Sequence, residues 1–221
     1  MIAAANALEI FRLNITRTDM LIEAVDKIAA YNWLYQQSQS REAPPAVLQS
    51  TRQVQDGQLE CIRRSCTEHA IVSLATAFET YYTELLQEVL SNTPDYFTRR
   101  TTKYSGRLDQ LLTDRTQHTF EDIADLLKLR GRKAYYGFFR LYDLPLLDSE
   151  EEADAIEYLH AWRNHFVHNA NRPDAQRDRK LKGIAPPVHG SNILTETKRL
   201  RSVICALIGR IDERVKAAVA V

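Results

Sequence analysis

The sequence predicts an all-α protein, a helical bundle of four to five main helices with short connecting helices. Three observations carry that expectation. Apolar residues recur at steps of three and four over long stretches, which is the period of one face of a helix. Sustained apolar–polar alternation is absent, and no hairpin dipeptide stands between apolar runs. Only seven glycines and seven prolines interrupt 221 residues, so regular structure should dominate. No repeat at a fixed period and no low-complexity tract modifies this picture.

Taken in order, Leu21, Val25, Ile28 and Trp33 mark a first helix. Pro44 and Pro45 break the chain after it, and the polar stretch that follows reads as a loop. Ile71, Leu74, Phe78, Tyr81, Leu85 and Val89 then share one face of a long helix that ends near Asn92 and Pro94. From Ser91 to His118 the chain is polar and basic, with a short helical stretch around Leu108 to Leu112, and reads as a flexible insertion. Two shorter helices are expected over Phe120 to Leu127 and Lys133 to Tyr142, separated by Gly131 and closed by Pro145.

The next helix has the clearest start. Ser149 as N-cap and Glu152 three residues later form a capping box, and the surrounding acids suit the positive end of the helix dipole. Ala155, Leu159, Trp162 and Phe166 supply its buried stripe, and Pro173 limits its extent. A basic loop with Pro186 and Pro187 leads to a last long helix through Ile193, Thr197, Leu200, Ile204, Leu207, Ile211 and Val215. This organisation divides into an N-terminal helical extension, 1–50, and a bundle, 51–221, or forms one continuous domain over 1–221.

Lys plus Arg equal Asp plus Glu at 29 each, so no global basic field points to nucleic acid or an anionic membrane. Basic charge is local instead: Arg99 to Arg107 and Lys128 to Arg140 carry no acid, and Arg172 to Lys182 holds five bases against two acids. Cys61, Cys66 and Cys205 are odd in number and show no zinc-type pairing with histidines, which reads as reduced core thiols of a cytoplasmic protein. No segment approaches the roughly 18 uninterrupted apolar residues of a membrane span, and the start shows no basic region ahead of an apolar run. No membrane association is expected.

One stretch concentrates chemistry. In WRNHFVH, residues 162–168, an arginine, an amide and two histidines stand beside three apolar residues near the end of a helix. Helical geometry puts Asn164 and His168 nearly above one another, with Arg163 on the neighbouring flank. Cations at a helix C-terminus are favoured by the dipole, by up to about 1 kcal/mol at exposed sites, and on residue types alone this structural reading weighs more. A metal reading would use His165 and His168, three apart, with His160 one turn back, but a catalytic zinc wants a third protein ligand and none is obvious, so no metal or other cofactor is expected.

The Arg-Asn-x3-His pattern at 163–168, late in an all-helical chain, resembles the Arg-x4-6-His signature of the HEPN superfamily. The preceding helix, with AFETYYTELL at 77–86, is similar to the early HEPN helix that holds an aromatic–acid pair. The resemblance covers about residues 60–215, and the branch called RiboL-PSP is the nearest in layout. It implies a helical bundle that pairs as a symmetric homodimer and a metal-independent endoribonuclease of toxin–antitoxin or anti-phage systems, with a possible antitoxin or other partner protein. It also implies roles: His168 as general base or acid at the RNA 2′-hydroxyl, Arg163 on the scissile phosphate, and Asn164 orienting either. A two-fold axis would supply the second histidine that acid and base roles together require. The rival reading is a non-catalytic HEPN-like interaction or nucleotide-binding module.

Glu79 lies on the flank of an apolar stripe, where a buried carboxylate needs a partner; Arg163 and any other arginine are equal candidates. Glu79 and His165 are therefore expected in support of the site, with His165 and His160 read first as structural histidines. Arg172, Arg177, Arg179 and Lys180 follow the signature directly and are candidates for RNA backbone contact, a solvated loop being the default.

Overall fold

The second helix, from Thr67 onward, is apolar around about half of its circumference, which no single neighbour can cover. Ala70, Ile71, Leu74, Ala75, Ala77, Phe78, Tyr81, Tyr82, Leu85, Leu86 and Val89 are all buried along it. The structure, a computed structural model, describes residues 4–39, 46–93, 142, 144–169 and 192–219. Among the described residues it consists of four helices and no strand: α1 (Ala4–Gln39), α2 (Ala46–Asn92), α3 (Glu150–Asn169) and α4 (Asn192–Val219). The all-α bundle expected from the periodicity is what forms.

α2 is the hub, touching α1, α3 and α4. α1 lies antiparallel to it, since the backbone N–H of Ala7 donates to Glu88 Oε1 at 2.8 Å while Ala7, Phe11 and Ile15 join the core that α2, α3 and α4 build. Phe11 meets Tyr81 edge-on with centroids 6.0 Å apart, and Tyr81 in turn meets Tyr82 at 5.7 Å. α4 contributes Leu200, Ile204, Leu207, Ile208, Ile211 and Val215, the stripe expected for the last helix. Burying each such side chain stabilises the fold by roughly 1.5–3 kcal/mol, and this spacing provides one every turn.

Ion pairs fix how α4 docks. Arg201 forks onto Asp19 of α1 with two bonds of 2.8 Å, and Lys198 reaches Asp26 at 2.8 Å. At the other end Arg210 pairs with Glu152, and Arg214 with Asp148 at 2.8 Å. The Arg214 hydrogen bond holds the Asp148 carboxyl below the usual carboxylate range. Exposed pairs of this kind contribute little each, so they set register more than stability.

Three sequence expectations are corrected. The stretch after Pro45, read as a loop, is the first part of α2, which also extends through Gly57 without interruption. A helical glycine costs only about 1 kcal/mol against alanine, and the Gln, Arg, Glu and Leu residues around it are good helix formers. The first helix likewise begins at Ala4, well before Leu21. The cysteines are not core residues: Cys61 is exposed, and Cys66 and Cys205 are half-buried. Cys61 and Cys66 precede Thr67, the first buried residue among the described side chains of α2, so they lie on a part of the helix that the bundle does not enclose. The segment 94–141, with its expected insertion and two short helices, lies outside the described residues.

Glu88 is the most perturbed acid of this packing. Burial, with Glu84 and Asp212 nearby, outweighs the Ala7 N–H and Lys216 and pushes its carboxyl up to about 7. A folded-state value above the unfolded one means that the folded chain binds this proton more tightly, so stability is full below about pH 4.5 and is lost as pH rises through about 7. Glu88→Gln should therefore gain thermal stability relative to the parent between pH 5 and pH 8; melts recorded across that range, with a pH-independent difference between the two proteins, would refute the shift.

Candidate functional site

The site is built on the last two turns of α3. The helix starts where its cap predicts: the N–H of Glu152 donates to Ser149 Oγ at 3.3 Å, and Glu152 reaches back to accept from the N–H of Asp148 at 2.9 Å. The return bond falls one residue before the N-cap, and it leaves Glu152 also paired to Arg210 of α4. From this fixed start Ala155, Leu159 and Trp162 turn inward, and Trp162 packs on Phe166 with centroids 5.3 Å apart. The phase of that stripe decides where every polar residue of the signature points.

Arg163 and Asn164 emerge on the flank. Arg163 Nη1 donates to Asn164 Oδ1 at 3.1 Å, and Asn164 Nδ2 lies 2.9 Å from Nε2 of His160, one turn back. On the far side Arg163 Nη2 stands 3.8 Å from Glu79 Oε2 of α2. A continuous polar chain thus runs Glu79, Arg163, Asn164, His160 across the α2–α3 junction. Since the Asn164 amide donates, His160 Nε2 accepts, which places a ring proton of the neutral imidazole on Nδ1. Of the partners weighed for Glu79, Arg163 lies within ion-pair distance.

The guanidinium is held but not sealed. Its side chain keeps 24% of its surface accessible, against 11% for Glu79. At 3.8 Å the ion pair is loose. His165 is buried and meets the Phe166 ring edge-on at 5.6 Å, the position of a packed structural histidine. Val167 is exposed at the same helix end.

His168 lies on the last turn of α3, with its side chain outside the described residues. Arg172, Arg177, Arg179 and Lys180 also lie outside them. The structure therefore brings together Arg163, Asn164 and Glu79, and adds His160, which sequence reasoning set aside. The signal for it was present: Asn164 has a histidine four residues behind as well as four residues ahead, and both spacings bring side chains together on a helix. Among the described residues no group of three or more histidine, cysteine, aspartate or glutamate side chains is arranged to hold a metal ion.

Compared with protein-family models, curated proteins and solved structures, the chain matches none. Function has to be argued from residues and geometry.

The Glu79–Arg163 contact joins α2 to α3 and is half-shielded, so its strength should lie between that of surface and buried pairs. Glu79→Gln and Arg163→Gln, combined in a double-mutant cycle by urea unfolding, should show a coupling on the order of 1 kcal/mol. A coupling indistinguishable from zero would show that the pair only coexists.

Proposed function

We propose that this chain is a metal-independent endoribonuclease of the HEPN type, acting as a toxin or effector in a bacterial toxin–antitoxin or anti-phage system. The observation that carries the reading is the placement of Arg163: a partly exposed guanidinium, steadied by Glu79 and Asn164, at the end of the helix whose last turn carries His168. Attack of an RNA 2′-hydroxyl on the adjacent phosphate needs a proton acceptor that titrates near neutrality and a fixed cation that forks onto phosphate oxygens. His168 and Arg163 are residues of those types, separated by just over one helical turn. The products are a 2′,3′-cyclic phosphate and a 5′-hydroxyl.

In this reading the chain acts as a homodimer in the cytoplasm, and the two-fold axis supplies a second His168 so that one imidazole removes a proton while the other delivers one. Arg172, Arg177, Arg179 and Lys180 add phosphate contacts with little sequence preference. A second reading is favoured by one observation. Because Arg163 already has an internal carboxylate partner, the same surface suits a non-catalytic module that binds a nucleotide or a partner protein such as an antitoxin.

The deciding experiment is cleavage of an end-labelled RNA in EDTA by the parent protein and by Arg163→Ala and His168→Ala, with product ends identified. Cleavage by the parent alone, leaving cyclic phosphate, is expected, with each substitution costing at least about a hundredfold in rate. Equal RNA binding by all three without cleavage would move the assignment to the binding module. Charge reversal at Arg177, Arg179 and Lys180 together should weaken RNA binding and reduce its salt dependence; unchanged affinity in a filter-binding titration would remove that segment from the site.

A further inference from the structure

α1 uses one face to pack on the bundle and carries a second apolar face that none of the described residues covers. Its buried residues Ala7, Phe11, Ile15, Thr18 and Val25 define the inner face. On the opposite side Leu13 is 70% exposed, Met20 66%, Tyr31 64% and Leu34 60%. With Arg17, Ala24 and Lys27 these form an unbroken series of seven positions whose steps alternate four and three residues. That is the 3.5-residue stride of a coiled-coil seam, sustained over about 30 Å of helix.

The geometry points to a second copy of this chain as the occupant, with α1 pairing antiparallel on α1 of the partner. Size is the first argument. Four large apolar side chains at these exposures, plus the aliphatic stems of Arg17 and Lys27, present on the order of 600 Å², close to the roughly 800 Å² per partner of a stable interface. It also stands at the upper end of the patches that single chains leave uncovered.

Charge sets the orientation. A parallel pair would stack Arg17 on the partner's Arg17 and Lys27 on the partner's Lys27, which places like charges in the seam. An antiparallel pair avoids this, and the register with the axis near Val25 and Asp26 does so with the longest overlap of the seam. There Met20 faces the partner's Tyr31, Ala24 leaves room for the partner's Lys27, and Arg17 lies along the partner's Leu34. Glu23, which already bonds Lys27 of its own helix at 2.6 Å, flanks the seam beside the partner's Lys27, so the two pairs alternate in sign across the axis. The neighbouring antiparallel register, which sets Arg17 against the partner's Lys27, is excluded by repulsion. This interface lies on α1, away from the signature on α3, so it is separate from the pairing proposed for His168, and a chain that used both would assemble beyond a dimer.

The test reads self-association and covalent trapping, neither of which needs ribonuclease activity. In sedimentation equilibrium the full chain should self-associate through α1 in the micromolar range, and Met20→Glu with Tyr31→Glu should weaken that step at least about tenfold. Both positions are exposed, so circular dichroism should show the helical content and melting of the parent. For register, Met20→Cys and Tyr31→Cys are placed together in a background with Cys61, Cys66 and Cys205 replaced by serine. The double variant should crosslink between chains on oxidation, while Met20→Cys alone should not. A monomer at all concentrations, self-association unaffected by the glutamates, no crosslink in the double variant, or crosslinking of Met20→Cys alone would each overturn the proposal. A monomer would assign the seam to a different protein.

Discussion

The burial of α2 is the constraint on which the rest of the structure depends. A helix with Ala70, Leu74, Phe78, Tyr81, Tyr82 and Leu85 all withdrawn from water cannot be satisfied by a hairpin partner alone. It requires α1, α3 and α4 to pack around it, and each supplies one apolar stripe to the common core. Where that enclosure stops, so does burial: no described side chain of α2 before Thr67 and none of α1 after Val25 is buried. The α1–α2 hairpin therefore continues past the bundle with Trp33 and Ile62 exposed near its far end.

Polar groups inside this arrangement act as register marks. Glu88 meets the N-terminal end of α1, where unpaired backbone N–H groups attract a carboxylate, and so fixes how far α1 slides along α2. Glu79, two and a half turns away on α2, performs the corresponding task for α3 through Arg163. Around them Tyr81 is kept neutral by burial and by the nearby Asp212, which itself pairs with Lys216 at 2.6 Å. Buried charge is costly unless partnered, so these contacts narrow the set of packings that the apolar stripes alone would allow. The same economy shapes the signature: the carboxylate that orders Arg163 also competes with any anion for it.

Local features were legible in the sequence because they depend on neighbours within about one turn. The stripe of α4 and the cap of α3 follow from periodicity and from Ser149 and Glu152. The polar start of α2 was misread because composition alone does not separate a solvated helix from a loop. Only breakers do, and Gly57 by itself is too weak a one. The cysteines were misplaced for a related reason, since a small apolar residue on an exposed arm has the same letter as one in a core.

At the candidate site the sequence determined which groups are present and on which side of α3 they emerge, since the phase of Leu159, Trp162 and Phe166 leaves Arg163 and Asn164 no other flank. Tertiary structure decided what Arg163 meets beyond its own helix. Asn164 turns to His160, and Arg163 finds a carboxylate 84 positions away in sequence, because contact across helices depends on crossing geometry that no local pattern encodes. The heptad stride on α1 was likewise written in the letters, but only the fold shows that the bundle takes the opposite face and leaves this one to water.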